Sequence, residues 1–180
     1  MYGAPLDLSF RCIKSLSDTL TEEPGRGQRP LKRNHENKYV SRSLRLNNNI
    51  ITDLSGLHAA ITHFLAEPLQ LAWLDLSFND IGHIDPVLCE LGELRVLYLH
   101  GNSICNLSEV ERLVELPFLH TITLHGNLIE GDKGYRCRVI SALAKLKMMD
   151  FSAVTPQDRS MANIWFQRNS CGKCKIKDVK

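Results

Sequence analysis

One short motif, Leu-x-Leu-x-x-Asn-x-Ile, occurs four times in this chain and constrains its fold more than any other feature. In the fourth copy, Ile122 takes the place of the first leucine. The asparagines follow one another at steps of 30, 23 and 25 residues (79 − 49, 102 − 79 and 127 − 102). A motif that recurs at such steps is typical of a solenoid made of stacked repeats. The four asparagines are Asn49, Asn79, Asn102 and Asn127.

The residue types of the motif explain why it predicts stacking. Two apolar residues that alternate with other residues indicate a strand with one buried face. The turn after the strand leaves buried backbone groups without partners, and each such group costs about 1–3 kcal/mol. An inward asparagine amide has two donors and an acceptor for these groups. We therefore expect the asparagines to form a ladder within a core that adjacent repeats share.

The predicted fold is an α/β solenoid with short parallel strands on its concave face and helices or irregular turns on its convex face. Residues 39–155 form the predicted repeat domain. Residues 1–38 are predicted to be an N-terminal extension, with a degenerate repeat unit or cap followed by a polar linker. The cap contains Leu6-Asp7-Leu8-Ser9-Phe10, which recurs at 74–78, but Arg11 stands where the asparagine would be. Residues 156–180 are predicted to be a basic tail.

Three further patterns predict local structure. Apolar residues within 57–65 have helical spacing and predict a helix in the longest repeat. Ser108 and Glu111 have the spacing of a capping box. Residues 135–146 carry a helical apolar stripe, and we expect this helix to cover the open end of the solenoid and its sheet edge. Residues 149–151 are predicted to form a last strand without an asparagine.

Charge is unevenly distributed along the chain. Residues 1–38 have net charge 7 − 5 = +2, residues 39–158 have 9 − 14 = −5, and residues 159–180 have 6 − 1 = +5. Basic ends indicate contact with an acidic partner or nucleic acid, and solvated ends are the alternative. The chain has no apolar run of about 18 residues for a membrane span. The first residues lack an export signal, so we expect a cytoplasmic location.

No catalytic, cofactor or metal site is predicted. The chain lacks the P-loop, nucleophile-elbow, dinucleotide-binding and zincin motifs. Cys171 and Cys174 form a single Cys-x-x-Cys pair, whereas zinc would need two further ligands. His100 and His125 occupy equivalent places, and a stacked pair could bind metal or sense pH. We favour a polar surface role, because zinc requires three or four ligands.

The repeat steps of 23 and 25 residues, together with Tyr-Arg-x-x-Val-Ile-x-x-Leu-x-x-Leu-x-x-Met-Asp at 135–150, resemble the short-repeat leucine-rich class. This class includes a regulatory subunit of type-one protein phosphatase, the spliceosomal A-prime protein and an axonemal outer-arm dynein light chain. The resemblance covers about 39–155 and implies a stacked, curved fold that binds proteins. It identifies no partner. Ser41 stands where an apolar residue is usual, so the resemblance does not fix the curvature at the N-terminal end.

We predict a non-enzymatic adaptor that binds a segment of another protein on its concave face and is itself monomeric. Five strands about 4.8 Å apart would span about 19 Å, which matches a helix of about 13 residues. Tryptophan, tyrosine and arginine dominate interface energies. Alternatives are a ribonucleoprotein component that binds RNA through its basic ends and, by resemblance, a phosphatase regulator. The resemblance also raises an axonemal or ciliary location. The predicted binding residues are Arg42, Arg45, Asn47, Trp73, Asp75, Arg95, Tyr98, His100, Thr123 and His125.

Overall fold

The computed structural model describes residues 4–25 and 30–171, which build a solenoid on one seven-stranded sheet. The strands follow their order in the chain, and all pairs are parallel except the last, which is antiparallel. The predicted fold class is confirmed. The strands are β1 (Leu6–Asp7), β2 (Ser43–Arg45), β3 (Trp73–Asp75), β4 (Val96–Tyr98), β5 (Thr121–Thr123), β6 (Met148–Met149) and β7 (Ser152–Ala153).

Helical segments form the other layer. The 30-residue step is long enough for an α-helix, α1 (Leu57–Phe64), as the spacing within 57–65 predicts. The later repeats return through short 3₁₀ helices. Two α-helices follow the last full repeat, α2 (Tyr135–Ala142) and α3 (Pro156–Cys171). The 3₁₀ helices are Leu16–Thr21, Pro68–Gln70, Pro86–Glu90, Leu107–Glu115 and Leu128–Gly131. Among the helices of the described residues, none has the length and apolar character that crossing a membrane would require.

The asparagine ladder joins each repeat to the one before it. The Nδ2 group of Asn102 donates to the carbonyl of Leu99 in its own turn and to that of Leu76 in the preceding repeat, both at 2.9 Å. Its Oδ1 accepts a hydrogen bond from the backbone N–H of Ile81 at 3.0 Å. The amide thus satisfies three buried backbone groups in two repeats. The same pattern is made by Asn49, Asn79 and Asn127.

The N-terminal residues add one more unit to the array. β1 pairs in parallel with β2, and Asn49 reaches back to accept from the N–H groups of Arg11 and Ile13 at 2.8 and 3.2 Å. Because Asn49 also bonds the backbone of the first unit, including the Leu8 carbonyl, that unit has no asparagine of its own. Leu6 and Asp7 therefore belong to the sheet, which agrees with a degenerate repeat unit at this end. The boundary at residue 38 remains a prediction.

The C-terminal end differs from the expected arrangement. The predicted C-terminal helix is present as α2, but it ends at Ala142, and the edge of the sheet is formed by β7, which pairs with β6. The carboxylate of Asp150 accepts from the N–H of Leu124 at 2.7 Å, where a further repeat would offer a backbone carbonyl. Tyr135 donates its hydroxyl proton to the same carboxyl group at 2.9 Å. A side chain thus ends the backbone ladder.

Part of the predicted basic tail is helical. α3 packs on α2, and Ala162 is buried between them. Arg159 donates to the carbonyls of Ile140 and Leu143 at 2.8 and 3.1 Å, which satisfies acceptors near the C-terminus of α2. The side chain of Cys171, together with Cys174 and the rest of the tail, lies outside the described residues, and so does any role of this cysteine pair.

The convex layer contains a buried carboxylate. Glu109 is 7% exposed and accepts from the N–H of Ile84 at 2.9 Å, and His83 and Arg112 lie beside it. Burial alone would raise the pKa of Glu109, but the Ile84 hydrogen bond and the contact with His83 outweigh it and lower that pKa. The predicted capping box at Ser108 is wrong, because Asn106 caps this 3₁₀ helix by accepting from the Ser108 N–H at 3.1 Å.

We expect Asn102→Ala to lower the free energy of unfolding by about 3 kcal/mol, because three buried backbone groups lose their partner. Asn163→Ala on the exposed side of α3 is the control and should change it by less than about 0.5 kcal/mol. Urea unfolding followed by circular dichroism measures both. Equal midpoints for the two variants would show that the ladder does not hold the repeats together.

We expect Glu109→Gln to destabilise the protein by about 1–2 kcal/mol at pH 7. A hydrogen bond to a charged carboxylate is stronger than one to the neutral amide that replaces it. The pKa of Glu109 is lower in the folded state than in the unfolded chain. Its contribution is therefore full above the unfolded pKa and is lost as pH falls through the folded pKa. Unfolding free energies measured from pH 7 to 3 should converge for wild type and variant. A constant difference across this range would contradict the assignment.

Candidate functional site on the concave face

Trp73 and Tyr98 form the centre of the concave face. They lie on adjacent strands, and their rings meet edge to face with centroids 5.5 Å apart. Both side chains are half-buried. The guanidinium of Arg45 lies 5.7 Å from the Trp73 ring and forms an ion pair with Asp7 at 3.2 Å. The structure therefore brings together three of the predicted binding residues, and Asp7 extends this group into the first repeat.

Two phenylalanines enlarge this centre. Phe151 follows β6 with a φ of 60°, and its ring lies 5.5 Å from Tyr98 and 5.4 Å from His100. Phe78 lies 5.0 Å from His100 on the other side. Both phenylalanines are more than half exposed. The aromatic cluster, as we call it, consists of Trp73, Phe78, Tyr98, His100, His125 and Phe151.

Sequence reasoning missed both phenylalanines. Phe151 occupies the place of the second leucine in the motif, which predicts an inward side chain. The left-handed backbone at Asp150 and Phe151 turns it outward instead. Phe78 stands just before Asn79, at a position that the motif leaves unspecified. Its recurrence at Phe10, within the same five-residue sequence, was the available signal.

Three of the predicted contact residues are buried. Asp75 and His100 are each 8% exposed, and Thr123 is fully buried. Asp75 accepts hydrogen bonds from both the N–H and the hydroxyl of Ser77, at 3.0 and 2.6 Å. His100 shares a 2.8 Å hydrogen bond with Thr123. These side chains support the face from below, and a partner would meet little of their surface.

His100 and His125 are stacked, with centroids 4.7 Å apart and rings nearly parallel. Burial, followed by the charge of His125, lowers the pKa of His100 below its usual value. His125 also lies 3.3 Å from the carboxylate of Asp150. In the part of the chain that the structure describes, no three side chains of metal-ligating type come together.

The remaining predicted residues lie around the cluster. Arg42 and Arg95 both approach the carboxylate of Glu93, at 3.4 and 3.6 Å. The Arg95 guanidinium lies 5.5 Å from the centre of the Phe118 ring. Asn47 is half-buried next to the turn of the first full repeat. Cations and carboxylates thus surround the aromatic centre.

Comparisons with known proteins agree with this geometry. A family model described as leucine-rich repeat matches residues 67–180. The chain is also similar to leucine-rich repeat-containing protein 51 of Homo sapiens, with 49% identity over 165 residues that cover 92% of this chain and 86% of that relative. The chain belongs to the leucine-rich-repeat family. The predicted resemblance, which among short-repeat members was nearest to protein 51, is confirmed.

Two more distant members of the leucine-rich-repeat family are informative. The chain is 33% identical to the probable U2 small nuclear ribonucleoprotein A' of Caenorhabditis elegans over 107 residues. These residues cover 59% of this chain and 42% of that relative. The crystal structure of the Drosophila melanogaster SNF/U2A' complex is similar with a TM-score of 0.62 and 23% identity, over 81% of this chain and 93% of that one. The second likeness concerns the fold alone.

The position of Phe78 depends on Gly101 in the next repeat. Gly101 has a φ of +67°, and a Cβ there would lie 2.6 Å from Cδ1 of Phe78. Gly101→Ala should therefore lower the free energy of unfolding by about 1–2 kcal/mol, because alanine is disfavoured at positive φ. It should also displace the Phe78 ring.

Gly82→Ala is the matched control, since nothing lies within 4 Å of a Cβ at this glycine. We expect it to be neutral within about 0.5 kcal/mol. Thermal unfolding of the two variants, with near-ultraviolet circular dichroism to follow the aromatic rings, makes the comparison. Indistinguishable melting of the two variants would contradict the strained contact.

Proposed function

We propose that this chain is a non-enzymatic interaction module that binds a segment of another protein on its concave face. The observation that carries the proposal is the aromatic cluster, in which Trp73 and Tyr98 remain half-exposed at the centre of a rigid sheet. Tryptophan, tyrosine and arginine are the residues that supply most binding energy at interfaces. Their fixed positions reduce the conformational entropy that binding would otherwise lose.

The dimensions of the face support a helical segment as the ligand. The six parallel strands include five spacings of about 4.8 Å, so the face spans about 24 Å. A helix of about 16 residues has this length at 1.5 Å per residue. An amphipathic helix bound in an apolar groove is a recurrent mode of peptide recognition. The additional strand β1 lengthens the expected ligand by one turn.

Family membership supports the same function. Leucine-rich-repeat proteins are generally interaction modules without catalytic activity. The similar U2A' protein was crystallised in a complex with SNF, and the relative from Caenorhabditis elegans is named as a ribonucleoprotein component. These names describe those proteins. For this chain they favour a protein ligand within a larger assembly, and a cytoplasmic, axonemal or ciliary location stays a prediction.

RNA binding through the basic ends is the second candidate, favoured by the net charge of +5 over residues 159–180. It predicts that affinity falls steeply as salt concentration rises, because bound cations are released from the nucleic acid. The net charge of −5 over residues 39–158 opposes it. Regulation of a phosphatase rests on resemblance alone and ranks below both.

The proposal predicts that Trp73→Ala/Tyr98→Ala weakens capture of protein partners at least tenfold, because each aromatic anchor contributes more than about 1 kcal/mol. Affinity purification with the wild-type chain, followed by titration of each captured protein, measures this loss. The two rings are half-exposed, so the variant is expected to fold, and thermal unfolding checks that it does.

Val114→Ala is the matched control, because Val114 is exposed in the 3₁₀ helix of the convex layer. It removes a similar apolar contact from the opposite side of the molecule and should leave partner capture unchanged. If every partner binds the aromatic double variant as tightly as the wild type, the concave face is not the binding site.

A further inference from the structure

A row of basic side chains lies at the edge where the strands begin. Each member occupies the second position before the first apolar residue of its strand motif. The backbone joins these positions directly, since Lys147 donates its N–H to the carbonyl of His120 at 2.7 Å and His120 donates to Arg95 at 3.0 Å. The members are therefore about 4.8 Å apart where their repeats are adjacent. The basic row consists of Arg42, Arg95, His120 and Lys147, with Ala72 between the first two.

Ala72 does not interrupt the positive charge. The guanidinium of Arg42 donates to the carbonyl of Gln70 at 2.7 Å and extends to Glu93, which also pairs with Arg95. This side chain therefore reaches across the fully buried Ala72 toward the next repeat. One carboxylate is shared by two arginines, and a net positive charge is left at this end of the row.

The other end of the row is also positive. Burial lowers the pKa of His120, and the charges of Lys147 and Arg95 lower it further. Two cations thus lie close to this imidazole. Lys147 is exposed and Arg95 is half-buried, so a ligand on the face can reach both.

The carboxylates of the concave face are engaged within the protein. Burial alone would raise the pKa of Asp7, but hydrogen bonds from Ser9 and the charge of Arg45 outweigh it and lower that pKa. Asp150 accepts backbone hydrogen bonds at the end of the sheet. These acids lie nearer the other end of the strands, so the face has a basic edge next to an aromatic centre.

We infer that the ligand of this face is an acidic amphipathic helix, whose carboxylates lie along the basic row while its apolar side meets the aromatic cluster. This inference rests on the proposed function and specifies its ligand. Helix residues three or four apart rise by about 4.5–6 Å, close to the strand spacing. Acidic residues at i, i+3 or i+4, and i+7 would therefore meet Arg95, His120 and Lys147 in turn.

Nucleic acid fits the same edge less well. A continuous line of phosphates would have to pass the carboxylate of Glu93, which lies within the row. A helix can place single carboxylates between apolar residues and so avoid this acid. Like charges brought together at an interface are strongly unfavourable.

The experiment uses a displayed library of 16-residue helical peptides, selected against the full chain. We expect selected peptides to carry Asp or Glu at i, i+3 or i+4, and i+7 beside an apolar stripe. Binding of these peptides to Arg95→Glu/Lys147→Glu should be at least tenfold weaker. A new selection against that variant should place Lys or Arg at the same positions. Lys147→Glu alone, at an exposed site, serves if the double variant folds poorly.

Arg168→Glu is the matched control, because it makes the same charge change on the exposed surface of α3, away from the row. It should leave the affinity of the selected peptides unchanged. Peptides without acidic residues that still lose binding in Trp73→Ala/Tyr98→Ala would overturn this inference and leave the proposed function standing. Peptides insensitive to both sets of changes, or no enrichment at all, would count against both.

A competition experiment tests whether the basic row binds phosphates of RNA instead of carboxylates of a peptide. A 16-nucleotide single-stranded RNA of mixed sequence should fail to displace the acidic peptides at about 0.15 M salt, the physiological ionic strength. Displacement that weakens steeply with added salt, and that Lys147→Glu abolishes, would assign the row to phosphates and overturn the inference.

Discussion

Each ladder asparagine hydrogen-bonds two repeats at once, so no repeat closes its turn alone. The amide of Asn79 donates to carbonyls of two consecutive repeats and accepts from the N–H of Ile51 in the earlier one. This arrangement fixes the register between adjacent strands, because a shift of one residue would leave all three groups unpaired. It also explains the two ends. Arg11 stands where the first asparagine would be, and its backbone N–H donates to Asn49, whereas the last unit uses the carboxylate of Asp150.

The same turn determines what stands at the rim of the concave face. The residue before each ladder asparagine, and its equivalent in the first unit, has a φ between 52° and 70°. Glycine is the least strained choice there, and it occupies this position at Gly101 and Gly126. Phe78 takes this strained conformation and lies over Gly101. The backbone that the ladder requires therefore presents an aromatic ring to the face, beside a glycine that makes room for it.

Period and motif were sufficient to predict the ladder, the parallel sheet and α1, because these features repeat or follow local spacing. Alternation along a strand indicates the face of the sheet to which a side chain points. It does not indicate whether neighbouring side chains bury it there. For this reason His100 and Thr123 were predicted as contact residues and are buried, His100 beneath the rings of Phe78 and Phe151. The position of α3 depends on contacts such as those of Arg159 with the carbonyls at the end of α2, and no repeat pattern encodes these.

Two parts of the concave face would contribute differently to binding: the aromatic cluster through apolar burial and the basic row through charge. Burial of the half-exposed Trp73 and Tyr98 would supply affinity that depends little on salt, because apolar contacts are not screened. The cations of the basic row would act mainly on the rate and the orientation of association. An acidic helix can approach in two directions along the sheet, and an apolar groove alone would not distinguish them. Because Arg42 and Arg95, which share Glu93, stand at one end of the row and the exposed Lys147 at the other, the charge on the row is uneven, and this asymmetry favours one direction of the bound segment.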